Sequence, residues 1–168
     1  SLLLLLLIPG AALAAPFSLT PPEGFRALDT PNDAGKSLSL VWKSSPGDSK
    51  IRKVQIWVAE AGEVGASAEF KKVTEIPSNT RYVKPGDFPW WDQPAAKGDH
   101  YVKVPSSQSF PIQDGKRYLV KLVIREGDQE VSSPVSEAIS EPSWFNLAQV
   151  NNLLFVVAFT GILLASIN

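Results

Sequence analysis

The fold is decided by residues 117–125, which read RYLVKLVIR. Four apolar residues, Tyr118, Val120, Leu122 and Ile124, occupy every second position of this stretch and share one face. Lys121 and Arg125 belong to the other face. Because alternate residues of an extended strand point to opposite faces, the stretch predicts a strand with one face in a core and the other in water.

Residues 37–43 and 53–59 alternate in the same way. The residues that share the apolar face are Leu38, Leu40 and Trp42 in the first stretch, and Val54, Ile56 and Val58 in the second. Turn sequences rich in Pro, Gly and Asp recur at intervals of about ten residues between such stretches. The pattern predicts that residues 17–140 form one all-β sandwich, with Trp42 in its core.

Two segments resemble bacterial fibronectin type III domains. Residues 21–45, PPEGFRALDTPNDAGKSLSLVWKSS, have the Pro-rich entry, the first turn and a second strand that ends on Trp42. Residues 114–139, DGKRYLVKLVIREGDQEVSSPVSEAI, resemble the closing hairpin. In that hairpin Tyr118 takes the place of the tyrosine that closes the corner before the sixth strand, and residues 132–136 that of the last strand. The resemblance implies an immunoglobulin-like sandwich with Trp42 and Tyr118 in its core, and it implies no activity.

Residues 60–100 depart from that pattern and are interpreted as an insertion. They include FPWWD at positions 88–92. Two adjacent tryptophans in an extended chain cannot both point into one core. Loops at the end of a sandwich often carry binding residues, so Phe88, Trp90 and Trp91 are predicted to contact a protein, a sugar or a lipid interface. The alternative is that the loop folds back and covers its own sandwich.

The chain has no charged residue after Glu141. Residues 147–167 are about as long as the ~20 residues that cross a bilayer as a helix, so a transmembrane helix is predicted within residues 144–168. The residues predicted to pack on neighbouring membrane helices are Gln149, Asn152, Ala158, Gly161 and Ala165. The alternative is that the amides lie among lipid headgroups and the glycine is incidental.

Residues 1–14 have a leucine-rich core, a Pro9-Gly10 break and a small-residue site ending at Ala14, which is typical of a secretory signal peptide. Export would place the sandwich on the periplasmic or extracellular side of a bacterial cytoplasmic membrane, in a single-pass topology. The chain has no initiator methionine and no Lys or Arg beyond the predicted helix. We therefore expect a few more residues before Ser1 and further chain after Asn168.

The composition argues against several classes of function. A net charge of −1 gives no basic surface for nucleic acid, and the absence of cysteine excludes disulfides and thiolate sites. His100, the single histidine, is interpreted as an ordinary loop residue and not as a metal ligand. The aspartates lie mostly in turns without the spacing of a calcium loop, although a few of them could build a calcium site. No catalytic motif occurs, so the sequence predicts no enzyme, no cofactor and no small-molecule substrate.

The function predicted from these features is that of a non-catalytic accessory or stabilising subunit of a larger bacterial membrane complex. Its expected partners are other membrane-protein subunits and the lipid bilayer, and a photosynthetic reaction-centre or light-harvesting assembly is the specific complex favoured over a respiratory one. Two alternatives stay open. One is a cell-envelope module that binds glycan through Trp90 and Trp91, and the other is a membrane-anchored sensor whose cytoplasmic part lies beyond Asn168.

Overall fold

The computed structural model of the chain describes residues 19–30, 33, 35–62, 68–88, 93–141 and 150–166. In these residues eight strands precede one helix. The strands are β1 (Arg26–Asp29), β2 (Ser37–Trp42), β3 (Lys53–Glu60), β4 (Lys71–Pro77), β5 (His100–Pro105), β6 (Arg117–Glu126), β7 (Gln129–Ser132) and β8 (Ser136–Ile139), and the helix is α1 (Val150–Ser166). The three sequence stretches with the clearest alternation form strands β2, β3 and β6. The ends of these strands lie within one residue of the predicted ends.

The strands form two antiparallel sheets. One contains β1, β2 and β5 in that order, and the other contains β4, β3, β6 and β7, with β8 also paired to β6. Consecutive strands therefore change sheets three times, between β2 and β3, between β4 and β5, and between β5 and β6. This arrangement is a fibronectin type III-like sandwich, the fold that the resemblance implies.

The core lies between the two sheets and uses the predicted alternate residues. Val54, Ile56 and Val58 of β3 are each 0% exposed, and so are Val120 and Leu122 of β6. On the opposite sheet the core residues are Leu38, Leu40, Trp42, Val102 and Val104. The alternation in the sequence therefore identifies the inward face of each of these strands correctly.

Strand β2 differs from the expectation because both of its faces are buried. Its outward residues Ser39 and Val41 are 0% and 2% exposed. Their burial is explained by described residues between β4 and β5 that pack on the outer face of the three-stranded sheet, among them Phe88. An alternating sequence cannot reveal such a cover, because the cover comes from a distant part of the chain.

The predicted insertion at residues 60–100 contains a strand that the sequence analysis missed. Strand β4 pairs antiparallel with β3, and the register shifts between Ile56 and Trp57, which marks a β-bulge. Its sequence KKVTEIP has charges at an edge of the sheet, which is a common way for an edge strand to avoid pairing with other chains. The irregular part of the insertion is thus shorter than predicted.

The sequence predicts one last strand at residues 132–136, and the structure differs from that prediction. The strand is split into β7 and β8, which pair with the second and first halves of β6. Between them, the Ser133 hydroxyl accepts a hydrogen bond from the Leu122 amide at 2.9 Å and donates one to the Pro134 carbonyl at 2.8 Å. Pro134 has no amide hydrogen and cannot continue a ladder, so the strand is interrupted there.

Tyr118 lies in the core, at 0% exposure. Its hydroxyl accepts a hydrogen bond from the Gln113 amide at 2.7 Å and lies 3.5 Å from the Pro111 carbonyl, to which it donates. These contacts join the start of β6 to the loop before it, which is the arrangement of a tyrosine corner.

Replacing Tyr118 with phenylalanine is expected to lower the free energy of unfolding by about 1 kcal/mol, because the Gln113 amide loses its acceptor while the ring stays packed. The midpoint of urea denaturation measures the change. Tyr82→Phe is the control, since that ring is 40% exposed and its substitution should change stability by less than about 0.5 kcal/mol. Equal midpoints for the wild type and Tyr118→Phe would contradict the role assigned to the hydroxyl.

Helix α1 lies within residues 144–168, where the sequence predicts a transmembrane helix. It has 17 described residues, about 25 Å at 1.5 Å per residue. Within the residues that the structure describes, no helix has the length and apolarity that a membrane crossing requires. Residues 142–149 and 167–168, and the predicted signal peptide at 1–14, lie outside the described residues.

Candidate functional site

Residues 78–99, which connect β4 to β5, are called the strap. Its described parts are 78–88 and 93–99. The Phe88 ring is 5% exposed and packs against the Tyr101 ring of β5, with centroids 4.7 Å apart. The Arg26 guanidinium of β1 donates a hydrogen bond to the Pro94 carbonyl. Both described parts of the strap therefore contact the three-stranded sheet, one at Phe88 and the other at Pro94.

These contacts overturn the predicted role of Phe88 as a partner contact. The ring covers the outer face of its own sheet, which is the alternative that the sequence left open for this loop. The reason is physical, because Phe88 buries its ring against Tyr101 without needing another chain. Trp90 and Trp91 lie outside the described residues, so their predicted partner contact stays a prediction.

A groove of about 480 Å³ runs beside the strap. Its lining includes Arg26, Asp29, Phe88 and Gln93. Burial raises the pKa of the Asp29 carboxyl, while a 3.0 Å hydrogen bond from the Glu141 amide acts in the opposite direction. The groove thus combines an aromatic ring with cationic, acidic and amide groups.

The outer face of the five-stranded sheet has a second feature, which the sequence analysis missed. Trp57 of β3, Lys121 of β6 and Phe70 before β4 form what we call the Trp57 patch. The Lys121 ammonium nitrogen lies 4.6 Å from the centroid of the Phe70 ring and 5.9 Å from that of Trp57, within the range of cation–π attraction. All three side chains are partly exposed.

Hydrogen bonds fix the orientation of the indole in this patch. The Trp57 ring nitrogen donates to the Gln55 side-chain oxygen at 3.2 Å, and the Gln55 amide donates to the Glu75 carboxylate at 2.9 Å. That second bond also lowers the pKa of Glu75. The indole is therefore presented in one orientation at the surface, which limits the side-chain entropy that a binding partner would have to remove.

Exposed ion pairs surround the Trp57 patch. They are Lys72–Glu75 at 3.6 Å, Arg117–Glu137 at 3.1 Å and Arg125–Glu130 at 3.6 Å. Pairs this exposed contribute little to stability. Their presence leaves an aromatic centre with a polar rim of balanced charge, which is the usual anatomy of a protein–protein interface.

The sequence contained the signal for this patch. Because Val54, Ile56 and Val58 share the inward face of β3, Trp57 must point outward, beside the outward Lys121 of β6. A large aromatic residue on the outward face of a strand is therefore the sequence signal that indicates this patch.

Helix α1 forms a third candidate contact surface. It has no charged residue in its first or last turn, and its large side chains are exposed on all sides, from 48% at Leu163 to 66% at Ile162 and Leu164. The predicted packing residues Ala158, Gly161 and Ala165 lie on it and are also exposed. Gln149 and the side chain of Asn152 lie outside what the structure describes.

His100 is placed differently from its interpretation as a loop residue. It is the first residue of β5 and is 0% exposed. Its ring nitrogens lie 2.9 Å from the Thr80 carbonyl oxygen and 2.9 Å from a carboxylate oxygen of Asp48. Both ring nitrogens of His100 therefore have hydrogen-bond partners.

Comparisons with known proteins add little beyond these observations. No protein-family model matches the chain, and no curated protein sequence matches it. Among solved structures, the solution structure of the fn3 domain of the human collagen alpha-1(XX) chain is similar, with 12% identity over 77% of this chain and 89% of that one, at a TM-score of 0.41. The strand order of the two sheets, and not this distant likeness, carries the assignment of the fold.

Proposed function

We propose that this protein is a non-catalytic accessory or stabilising subunit of a larger bacterial membrane complex. Its apolar C-terminal segment is held in the cytoplasmic membrane among other subunits, and its sandwich lies on the periplasmic or extracellular side, where it makes protein–protein contacts. The observation that carries the proposal is the surface of α1, an uncharged helix with its apolar side chains exposed on every side.

An exposed surface of this kind requires apolar surroundings. Leu154, Phe155 and Val157 are 59%, 61% and 62% exposed, and burying one such side chain contributes about 1.5–3 kcal/mol. A surface helix of a soluble domain has one apolar stripe, whereas a helix that is apolar all round is buried in a large protein or in a membrane. Lipid together with neighbouring helices supplies such surroundings, and Ala158, Gly161 and Ala165 allow close approach of a second helix.

The Trp57 patch is the proposed contact of the sandwich with its partner subunits. Tryptophan is enriched at the few interface positions that contribute most to binding, and the indole here is already oriented by Gln55. The patch faces away from the strap, because it belongs to the other sheet. The sandwich can therefore bind a partner without displacing Phe88 from Tyr101.

Replacing Trp57 with alanine is expected to weaken association with the partner subunits by about 2 kcal/mol, roughly thirtyfold, while the sandwich stays folded. The measurement is the amount of partner protein retained on the tagged full-length chain after solubilisation in mild detergent, with photosynthetic and respiratory membranes as starting material. Ile51→Ala is the matched control, since Ile51 is a 76% exposed aliphatic residue outside the patch.

Equal retention by the wild type and Trp57→Ala would remove the patch from the proposal. A melting temperature of Trp57→Ala far below that of the control would show that the indole serves the fold instead, which would equally contradict its role as a contact.

A second candidate function, glycan binding at the cell envelope, is favoured by the groove beside the strap. Charged and amide side chains in a groove suit the hydroxyls of sugars, and Arg26, Asp29 and Gln93 line this one. Arg26→Ala should then abolish retention of the chain on insoluble cell-wall polysaccharide and leave its protein partners bound. Equal retention of the wild type and the variant would exclude this groove as the glycan site.

A further inference from the structure

The ring of His100 joins the strap to the core of the sandwich. It is stacked between Trp42 of β2, with centroids 5.0 Å apart, and Tyr82 of the strap, with centroids 4.6 Å apart. Trp42 and His100 are paired across the sheet, and His100 forms an antiparallel bridge with Tyr82. Three neighbouring segments thus contribute one ring each to a continuous stack.

Hydrogen bonds fix the histidine ring in its plane. The Thr80 carbonyl oxygen can only accept, so Nδ1 of His100 donates to it at 2.9 Å. Nε2 lies 2.9 Å from a side-chain oxygen of Asp48 and is hydrogen-bonded to it. Asp48 is itself held by a 2.7 Å hydrogen bond from the Ser45 amide. The ring therefore connects the loop before β3 to the first residues of the strap.

The backbone of the strap is unusual where it contacts this ring. Arg81 has φ = 62°, in the left-handed region that residues other than glycine rarely adopt. It lies between Thr80 and Tyr82, the two strap residues that contact His100. On either side, the Tyr101 amide donates to the Arg81 carbonyl at 2.7 Å and the Val83 amide donates to the Asp99 carbonyl at 2.8 Å. A strained residue persists only where its surroundings hold it.

We propose that His100 is the positioning residue of the strap. Its ring holds Thr80 and Tyr82 in place, keeps the chain in the left-handed turn at Arg81, and so keeps Phe88 on the outer face of the three-stranded sheet. When these contacts are lost, the strap separates from the sheet and uncovers Val41 and Tyr101, while the rest of the sandwich stays folded. The inference concerns this chain alone and is independent of the membrane complex proposed above.

Hydrogen–deuterium exchange of the full chain in detergent micelles, followed residue by residue, tests the inference. His100→Phe keeps a flat ring in the stack and removes both hydrogen bonds. The Val83 and Tyr101 amides are expected to exchange roughly tenfold faster than in the wild type, while the amides of β3 and β6 change little, because only the strap opens. Val58→Ala is the control, since it removes core volume from the other sheet and should accelerate the protected amides of both sheets together.

Acceleration of all protected amides by a similar factor in His100→Phe, or no acceleration at Val83 and Tyr101, would overturn the inference. Tyr82→Ala decides the matter if His100→Phe does not fold, since Tyr82 is 40% exposed and its loss leaves the core filled. Faster exchange confined to Val83 and Tyr101 supports a positioning role for His100, and unchanged exchange at these two amides contradicts it.

Discussion

Replacing Trp42 with alanine is expected to lower the free energy of unfolding by about 3–5 kcal/mol. The side chain is 3% exposed, belongs to the core between the two sheets and stacks on the His100 ring. Alanine leaves a cavity there and removes one side of the stack that holds the strap. Since small domains are stable by only about 5–15 kcal/mol, this loss is a large part of the total and should lower the melting temperature strongly.

Thermal denaturation of the full chain in mild detergent, followed by circular dichroism of the β-sheet signal, measures this effect. Ile51→Ala is the control, since this exposed side chain should contribute less than about 0.5 kcal/mol. A Trp42→Ala protein that melts at the temperature of the control would contradict the placement of β2 in the core.

Replacing Val157 with arginine is expected to detach the chain from its membrane. Val157 lies near the middle of α1 and is 62% exposed. A charged residue at the centre of a helix in hydrocarbon costs about 2.5–3.5 kcal/mol, so the ratio of membrane-bound to free chain should fall roughly a hundredfold. Arginine is a good helix former, so the loss does not come from melting the helix.

Flotation of the full chain with lipid vesicles measures the bound fraction. Val157→Leu is the matched control and should float like the wild type. Gly161→Leu separates the two contributions to attachment, since it should keep flotation and weaken co-purification with partner subunits by blocking close helix approach. Full flotation of Val157→Arg would contradict the membrane location of this segment.

The sequence predicts the sandwich because the patterns that specify its strands and turns lie within short segments of the chain. The alternation in β2, β3 and β6 reports which side chains face the core, and turn residues report where the strands end. The corner at Tyr118 is also local, since its hydroxyl binds backbone only five and seven residues upstream. The resemblance to fibronectin type III domains rests on these same segments.

The path of the strap could not be predicted, because it depends on contacts distant in sequence. Nothing around Phe88 indicates that its ring meets Tyr101 or that Arg26 reaches Pro94, 68 residues away. His100 gave no signal either, since a single histidine beside Gly and Asp is typical of a loop. His100 is buried because β5 pairs with β2 and because Asp48, which belongs to another loop, contacts its ring.

Strand β4 was missed for a different reason. Its sequence KKVTEIP has no continuous apolar face, because an edge strand is partly solvated and the bulge at Ile56 and Trp57 breaks the alternation of its pairing. In the apolar C-terminal segment composition alone predicts a helix, and 17 residues of that segment are described as helix α1.

The most direct test of the proposed function is the size and composition of the particle that contains this protein in its native membrane. The full chain, tagged and solubilised in mild detergent, is separated by native electrophoresis and its co-migrating proteins are identified. We expect one particle far larger than the 18.2 kDa chain in its micelle, with partner membrane proteins in fixed ratio to it. Migration of the chain by itself, with no other protein in fixed ratio, would contradict the account.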